Sequence, residues 1–316
     1  MSQDKILPGR YINFVSVASA SSVLSDRGIA TMPLELDWGK EGEVFEVSNE
    51  DFQKDSQKIF GYAHDHEKMN GLSDLFMNAK TLYAYRLNGG GTKATNAFAT
   101  ALYGGTRGND IKIVIQANAD ETSKYDVMTY LETARVDTQT VAQASELVAN
   151  DYVTFKSDAA LEVTAGTALA GGTNATVDGT AHQKYLDKIE SYSYNAMGVI
   201  TTDETTKKLY AAFSKRMRDE QGVKFQVVLY NLSADYLGVI NLKNKVLDTG
   251  VSETSLIYWV TGAECGCEVN KSCQNKQYDG AFEVDTDYTQ AELQDAILAC
   301  LLYTSRAHET GAYLVC

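Results

Sequence analysis

Basic residues are scarce in this chain of 316 residues: 28 Lys and Arg stand against 42 Asp and Glu, a formal net charge of −14. A surface so biased toward acid repels phosphate, which argues against nucleic acid or an anionic membrane as partner. Long apolar runs are missing too. No stretch approaches the roughly 18 residues that span a bilayer, and Met1-Ser2-Gln3-Asp4-Lys5 lacks the apolar core of a signal peptide. No membrane insertion is expected, and the protein is expected to be made and kept in the cytosol. Cysteine is sparse. Of five in all, three fall between 265 and 273 and two near the end, which is no secreted disulfide framework, so they are expected to stay reduced.

The inventory for catalysis is equally thin. No Gly-x-Ser-x-Gly elbow occurs, and no Gly-x-Gly-x-x-Gly follows a strand. Asn88-Gly89-Gly90-Gly91-Thr92-Lys93 has the composition of a phosphate loop without its spacing, since Thr precedes Lys, and is read as a flexible domain crossing. In His64-Asp65-His66-Glu67 the imidazoles sit two apart and face away from each other on a helix, so a solvated loop is expected. Cys265, Cys267 and Cys273 lack a fourth zinc ligand at usual spacing and are read as small packed residues. No catalytic residue, cofactor or metal is expected.

The clearest structural signals lie between residues 181 and 242. His182 to Ile189 reads as a helix with Tyr185, Leu186 and Ile189 on one face, and Met197-Gly198-Val199-Ile200 as a short buried strand. Thr201-Thr202-Asp203-Glu204 reads as a capping box opening a helix with Leu209, Phe213 and Met217 as its stripe, cations in its last turn and Gly222 past its end. Val223 to Tyr230 then becomes continuously apolar, as a strand does inside a sheet covered on both faces. Strand, helix, strand with tight joints implies a parallel crossover at the centre of an α/β layer domain.

The same texture precedes it. Met32 to Trp38 and Glu43 to Val47 alternate as strands, Ser48-Asn49-Glu50-Asp51 caps a helix carrying Phe52, Ile59 and Phe60, and Leu72, Leu75, Phe76 and Ala79 mark a second helix before the strand Thr81 to Leu87. Between the two lies a Thr-, Ala-, Val- and Gly-rich stretch without a long helical pattern. Its strand candidates are Ala97 to Tyr103, Ile111 to Ile115, Lys124 to Leu131, Tyr152 to Phe155 and Leu161 to Thr164, at the spacing of a small β-sandwich. After the centre come a strand Asp235 to Ile240, an apolar helix Ser255 to Ala263, and a capping box Thr289-Gln290-Ala291-Glu292 opening a helix with Leu293 and Ile297.

The two ends differ from this. Tyr11, Ile12, Asn13, Phe14 and Val15 form a lone apolar strand followed by a small-residue tether, which either pairs with its own sheet or adds to a neighbouring chain. Cys300-Leu301-Leu302-Tyr303-Thr304-Ser305 resembles the translation of a transposase-type sequencing adapter. Arg306-Ala307-His308-Glu309-Thr310 and Leu314-Val315-Cys316 match its continuation. Residues 300 to 316 are therefore expected to be foreign and the real gene product longer.

Several stretches together resemble the tail sheath proteins of contractile phage tails and phage-tail-like bacteriocins, particularly those of clostridial and related Gram-positive hosts. They are Leu7 to Phe14, Ser25 to Leu34, Tyr103 to Asp110 with its Arg107-Gly108-Asn109-Asp110, Leu186 to Glu190, and Lys215 to Asp219. The resemblance implies a discontinuous α/β core domain interrupted by an inserted β-sandwich-like domain, with an extended N-terminal arm whose strand Tyr11 to Val15 lies at a subunit interface. The divisions that follow are an arm at 1–20, core halves at 21–92 and 180–299, an inserted β-rich domain at 93–179, and the foreign tail at 300–316. The family's C-terminal domain is expected to be absent. The implied role is structural: a helical homopolymer around the tail tube that contracts to drive it through the host envelope. Its implied partners are the tube, baseplate and tail terminator proteins, and its place is the virion tail after assembly in the host cytoplasm. The competing expectation is a cytosolic α/β enzyme with a β-domain insertion.

Overall fold

The structure, a computed structural model, describes residues 27–273, 276–292, 294, 303–306 and 312–315. The first part carries β1 (Ile29–Leu34), β2 (Val44–Ser48), α1 (Asn49–Phe60), α2 (Asn70–Phe76) and β3 (Thr81–Arg86). Six strands follow without an intervening α-helix: β4 (Ala99–Ala101), β5 (Ile111–Ala117), β6 (Tyr125–Leu131), β7 (Ala134–Val141), β8 (Val153–Phe155) and β9 (Thr164–Ala168). Then come α3 (Gly179–Ile189), β10 (Ala196–Gly198), α4 (Glu204–Asp219), β11 (Gln226–Tyr230), β12 (Val239–Leu242) and α5 (Leu256–Gly266). A hairpin of β13 (Tyr303–Arg306) and β14 (Ala312–Val315) comes last.

The stretches on either side of the β-rich section build one six-stranded sheet in the order β12-β11-β10-β1-β3-β2. All neighbours are parallel except β2, which runs antiparallel to β3 at the edge. β1 is the seam. It pairs with β3 from Ile29↔Thr81 to Leu34↔Arg86, and on its other side with β10 through Ala30↔Ala196 and Thr31↔Met197. Strand residues alternate between two covered faces, as a parallel sheet requires. Ala30, Met32, Leu34, Leu82, Ala84 and Val228 pack with Phe52, Phe60, Leu75, Ile257 and Val260 from α1, α2 and α5. Met197, Val227 and Leu229 pack with Tyr185, Ile189, Tyr210, Phe213 and Met217 from α3 and α4.

Local chemistry explains most element ends. Ser48 and Asp51 form a reciprocal capping box at the start of α1, each side chain accepting the other residue's amide at 3.1 Å. Gly61 closes the helix at φ +83°, its amide donating to Gln57 O. Thr289 and Glu292 make the same reciprocal pair, whereas Leu293 and Ile297 lie outside the described residues. The expected box at Thr201 is not how α4 begins. Asp203 is the cap, accepting from Thr206 N, while Thr201 Oγ1 accepts from Asp203 N and Glu204 pairs with Lys207. A carboxylate suits the positive end of the dipole better than a hydroxyl, so the helix begins two residues later than a Thr201 cap would place it. The buried arc of α4 then centres on Tyr210 with Phe213 and Met217, leaving Leu209 at its margin.

The β-rich section forms a four-stranded antiparallel sheet, β7-β6-β5-β9, with the pair β4-β8 beside it. Ile111, Ile113, Ile115, Val127, Leu131, Tyr152, Val153 and Leu169 fill the space they enclose, the sandwich-like arrangement expected. Three strand readings need correction, and β7 is not among the strands expected. β7 shows no apolar alternation because it is a largely exposed polar edge. β9 begins at Thr164, where the expected strand ended. The strand expected over Asp235 to Ile240 starts only at Val239, because Asp235 adopts φ +41°, outside extended backbone. Likewise β1 stops at Leu34. Leu36 N bonds the side chain of Asn88 instead of a neighbouring strand, and Trp38 turns into the core of the β-rich domain.

Candidate functional site

The α/β and β-rich domains are connected by two backbone crossings and by a joint of buried polar groups. At the end of β3, Arg86 is only 1% exposed. Its Nη1 donates to Gly104 O at 2.8 Å and Gly39 O at 3.1 Å, Nη2 to Asn174 Oδ1 at 3.2 Å, and Nε to Asn88 Oδ1 at 3.2 Å. Glu41 stands 3.5 Å from Nη1 and uses its two oxygens to accept from Gly104 N and Gly90 N. One guanidinium therefore ties together the first α/β half, both crossings and the insertion. Burial pushes its pKa down, and the charges of Glu41 and Asp37 oppose that.

Asp37 is the second node. Tyr62 OH and Lys68 Nζ donate to one oxygen at 2.9 and 2.6 Å, while Thr106 Oγ1 and Asn174 Nδ2 donate to the other at 3.0 and 2.9 Å. Burial raises this carboxyl, but the bonds from Lys68, Asn174 and Tyr62 outweigh it and hold the group well below the usual carboxylate range. Its carboxylate raises Lys68 in return. The third node is Arg107 of the insertion. Its Nε donates to Gly61 O at 2.8 Å, its Nη1 pairs with Asp110 and Glu132, and its guanidinium lies 4.2 Å from the Tyr62 ring centre. Trp38, edge-on to Tyr103 and stacked near Tyr152, carries the apolar part of the contact.

The glycines at the crossings serve this closeness, not phosphate binding. A Cβ on Gly91 would stand 1.8 Å from Thr173 O, and one on Gly105, at φ +131°, would stand 2.0 Å from Asp37 O. The expected flexible crossing is in fact a paired ladder: Thr92 N donates to Thr173 Oγ1, Thr173 N to Thr92 O, and Ala175 N to Asn88 O. The joint's charged groups pair with one another, so it holds two bodies in register and presents no free nucleophile or base.

The other candidates behave as packing groups. His66 Nδ1 accepts from Lys68 N and its ring lies beside Tyr62, whereas His64 sets its ring edge against Phe52, so the two imidazoles do not converge. Cys265 and Cys273 are buried free thiols bonded to Gly262 O and Ala263 O, and burial pushes Cys265 up to about 12. An open crevice of about 670 Å³ lies at the carboxyl ends of β1 and β10, lined by Leu34, Leu36, Ile200 and Tyr258 among others. The arm strand Tyr11, Ile12, Asn13, Phe14 and Val15 lies outside the described residues. Asp37, Arg86 and Asn174 were missed as site residues. Only Arg107, inside the Arg-Gly-Asn-Asp motif, carried a signal.

The described residues thus form a layered α/β body carrying a β-sandwich on a paired polar joint. Comparison with known proteins agrees over nearly the whole chain. Residues 175–308 match the model of the phage tail sheath protein central domain. Residues 89–174 match the phage tail sheath protein β-sandwich domain, and residues 27–87 match the N-terminal region of domain III of the tail sheath protein Gp18. The chain belongs to the phage tail sheath protein family, whose members are structural proteins, and the enzyme reading finds no support. It is similar to the phage-like element PBSX protein XkdK of Bacillus subtilis strain 168, at 34% identity over 308 residues, covering 89% of this chain and 66% of that protein. The crystal structure of the sheath tail protein of Desulfitobacterium hafniense matches with a TM-score of 0.85 and 38% identity, covering 97% of this chain and 74% of that one. The sheath tail protein of Listeria innocua matches with a TM-score of 0.79 and 33% identity, covering 94% and 70%.

Proposed function

We propose that the protein polymerises helically around a tail tube and that the polymer contracts to drive the tube through a host envelope. The observation that supports this best is the joint. A subunit that transmits force between neighbours needs its two domains to turn as one, and buried, fully paired polar groups resist shear better than a linker does. The strand Tyr11 to Val15, on an arm of residues 1–20, adds to the sheet of a neighbouring copy, so that subunits stay tied while their bodies rotate. The core halves run over 21–92 and 180–299 and the inserted domain over 93–179, and the adapter-like tail 300–316 is not native. Besides itself, the protein meets the tube, baseplate and terminator proteins in the virion tail, after assembly in the host cytoplasm. No helix of the described residues is long and apolar enough to cross a membrane.

The test is assembly. The gene, read through to its stop codon in the source genome, is expressed, sedimented and imaged by negative stain. Tubes or rings that pellet are expected. A small, uniform oligomer at every concentration would contradict the proposal.

A further inference from the structure

The six-stranded sheet is open at its carboxyl end, where the strand order reverses. From β1 the first half of the chain lays β3 and β2 to one side, and the second half lays β10, β11 and β12 in turn to the other. Connections diverge at such a point and leave a crevice above the strand ends, the place where α/β sheets receive ligands. Here the crevice of about 670 Å³ has apolar walls from Leu34, Leu36, Ile200 and Val251, the last 40% exposed. Its lining carries three acids, Glu35, Asp37 and Glu67, against one cation, Lys68, and that cation is committed to Asp37 at 2.6 Å. Glu35 and Glu67 are exposed and form no ion pair among the described residues. Burial, with the charge of Glu35, pushes Tyr258 on the same wall up to about 12. Asp37, Tyr62 and Lys68 also belong to the joint, so a segment seated in the crevice bears on it directly.

We propose that this crevice receives the segment Lys5 to Arg10 from the N-terminal arm of a neighbouring copy. The segment reads Lys5-Ile6-Leu7-Pro8-Gly9-Arg10, two adjacent large apolar side chains between two cations. Only Asp4, Lys5 and Arg10 have charged side chains among residues 1–25, so the arm is net positive in a chain of net charge −14. Ile6 and Leu7 suit the apolar walls, and Lys5 and Arg10 complement the unpaired Glu35 and Glu67. Pro8 fixes one φ in advance, so less conformational freedom is lost on binding. The place of the crevice favours a neighbour over the same chain. The arm joins the body at Arg27, which bonds Glu264 O just before the amino end of β1, while the crevice lies beyond the carboxyl end of that strand. A chain's own arm would have to run the height of the body to get there, whereas a copy stacked end to end presents its crevice where the arm leaves. Donor and acceptor at opposite ends of one body make a head-to-tail contact, the kind that propagates into an open helical polymer. From Arg10 to Arg27 the chain can extend about 55 Å, which leaves slack for bodies that turn against each other. The polymer rests on the proposed function, whereas the crevice and its acids do not.

The experiment places the photo-crosslinker p-benzoylphenylalanine at position 7 of the full chain, in place of Leu7, and irradiates the unassembled protein over a range of concentrations. Denaturing gels and peptide mapping are expected to show covalent dimers in which the arm of one copy is joined to the crevice wall of another, at residues 34–36, 199–202 or 250–258. The dimer yield should fall about fivefold when Glu35→Gln and Glu67→Gln are combined, and likewise when Lys5→Gln and Arg10→Gln are combined, since each pair of changes removes two partly exposed ion pairs. The arm changes leave the described body untouched, so they decide even if the crevice variant fails to fold. The proposal is overturned if no dimer forms, if the cross-links fall within one chain or on another surface, or if the yield is indifferent to both pairs of changes. Tubes that form without the cross-link sink this inference alone, whereas the cross-link without tubes sinks the polymer reading and leaves the site standing.

Discussion

Replacing Arg86 with Met keeps the length of the side chain and removes its charge and donors. The backbone carbonyls of Gly39 and Gly104 then lose their Arg86 donors at a buried site, as do the side chains of Asn88 and Asn174. Stranding a buried acceptor costs about 1–3 kcal/mol. Glu41 loses a cation but is partly exposed and keeps two amide donors, so its share is small. Asn88 and Asn174 keep Leu36 N and Thr106 N as donors, so the two carbonyls dominate and the loss is about 2–6 kcal/mol, a range that spans the usual cost of removing one partner of a buried charge pair. Against a total stability of about 5–15 kcal/mol this is severe. The chain has two tryptophans: Trp38, carried by the first α/β half but packed in the insertion core, and Trp259 on α5. Trp38→Phe and Trp259→Phe backgrounds therefore report the domains separately in urea. With the joint intact both probes follow one transition. With Arg86→Met the midpoint falls by about 1–2 M at an m-value near 2–3 kcal/mol/M, and the Trp38 transition separates below the Trp259 one. Coincident transitions with an unmoved midpoint would refute the view that Arg86 locks the domains together.

Other expectations follow from single contacts. Gly105→Ala should cost about 2–4 kcal/mol in thermal melts, because its Cβ meets Asp37 O in a left-handed backbone, while Gly90→Ala, with nothing within 4 Å, should cost only about 1 kcal/mol. His182 is buried against Tyr210 OH at 2.9 Å, and burial lowers its pKa against the opposing pull of Asp203 and Asp178. The unfolded chain therefore takes up this proton first. Stability should be full above about pH 6.5 and decline as pH falls below it, and His182→Gln should flatten melting temperature between pH 7 and 5. Deleting residues 1–20 from the full gene product should abolish tubes in micrographs and leave the circular dichroism melt unchanged; unaltered tubes, or a lost melt, would refute the arm's role.

The fold was largely legible because its local signals agree with one another. The Ser48 and Asp51 box, the all-round apolar α5, and the switch from helical periodicity to short strands after Arg86 each reflect chemistry within a few residues. Where two nearby caps competed, as at Thr201 and Asp203, spacing could not rank a carboxylate above a hydroxyl. β7 escaped because an exposed edge needs no apolar alternation. The joint was hidden for a different reason. Asp37, Arg86, Gly104 and Asn174 are separated by up to 137 positions in sequence, and nothing local distinguishes a buried arginine at a strand end from a solvated one. Only the tertiary approach of the two crossings makes Arg86 the residue that holds them.

The most direct test is a helical reconstruction of tubes assembled from the full gene product, at a resolution that shows side chains. The account predicts a helical lattice around a hollow lumen, with the insertion at the outer radius and Arg86 bonded to Gly39, Gly104 and Asn174 in every subunit. A lattice in which the insertion has swung away from an open joint, or the failure of the protein to form any helical assembly, would contradict it.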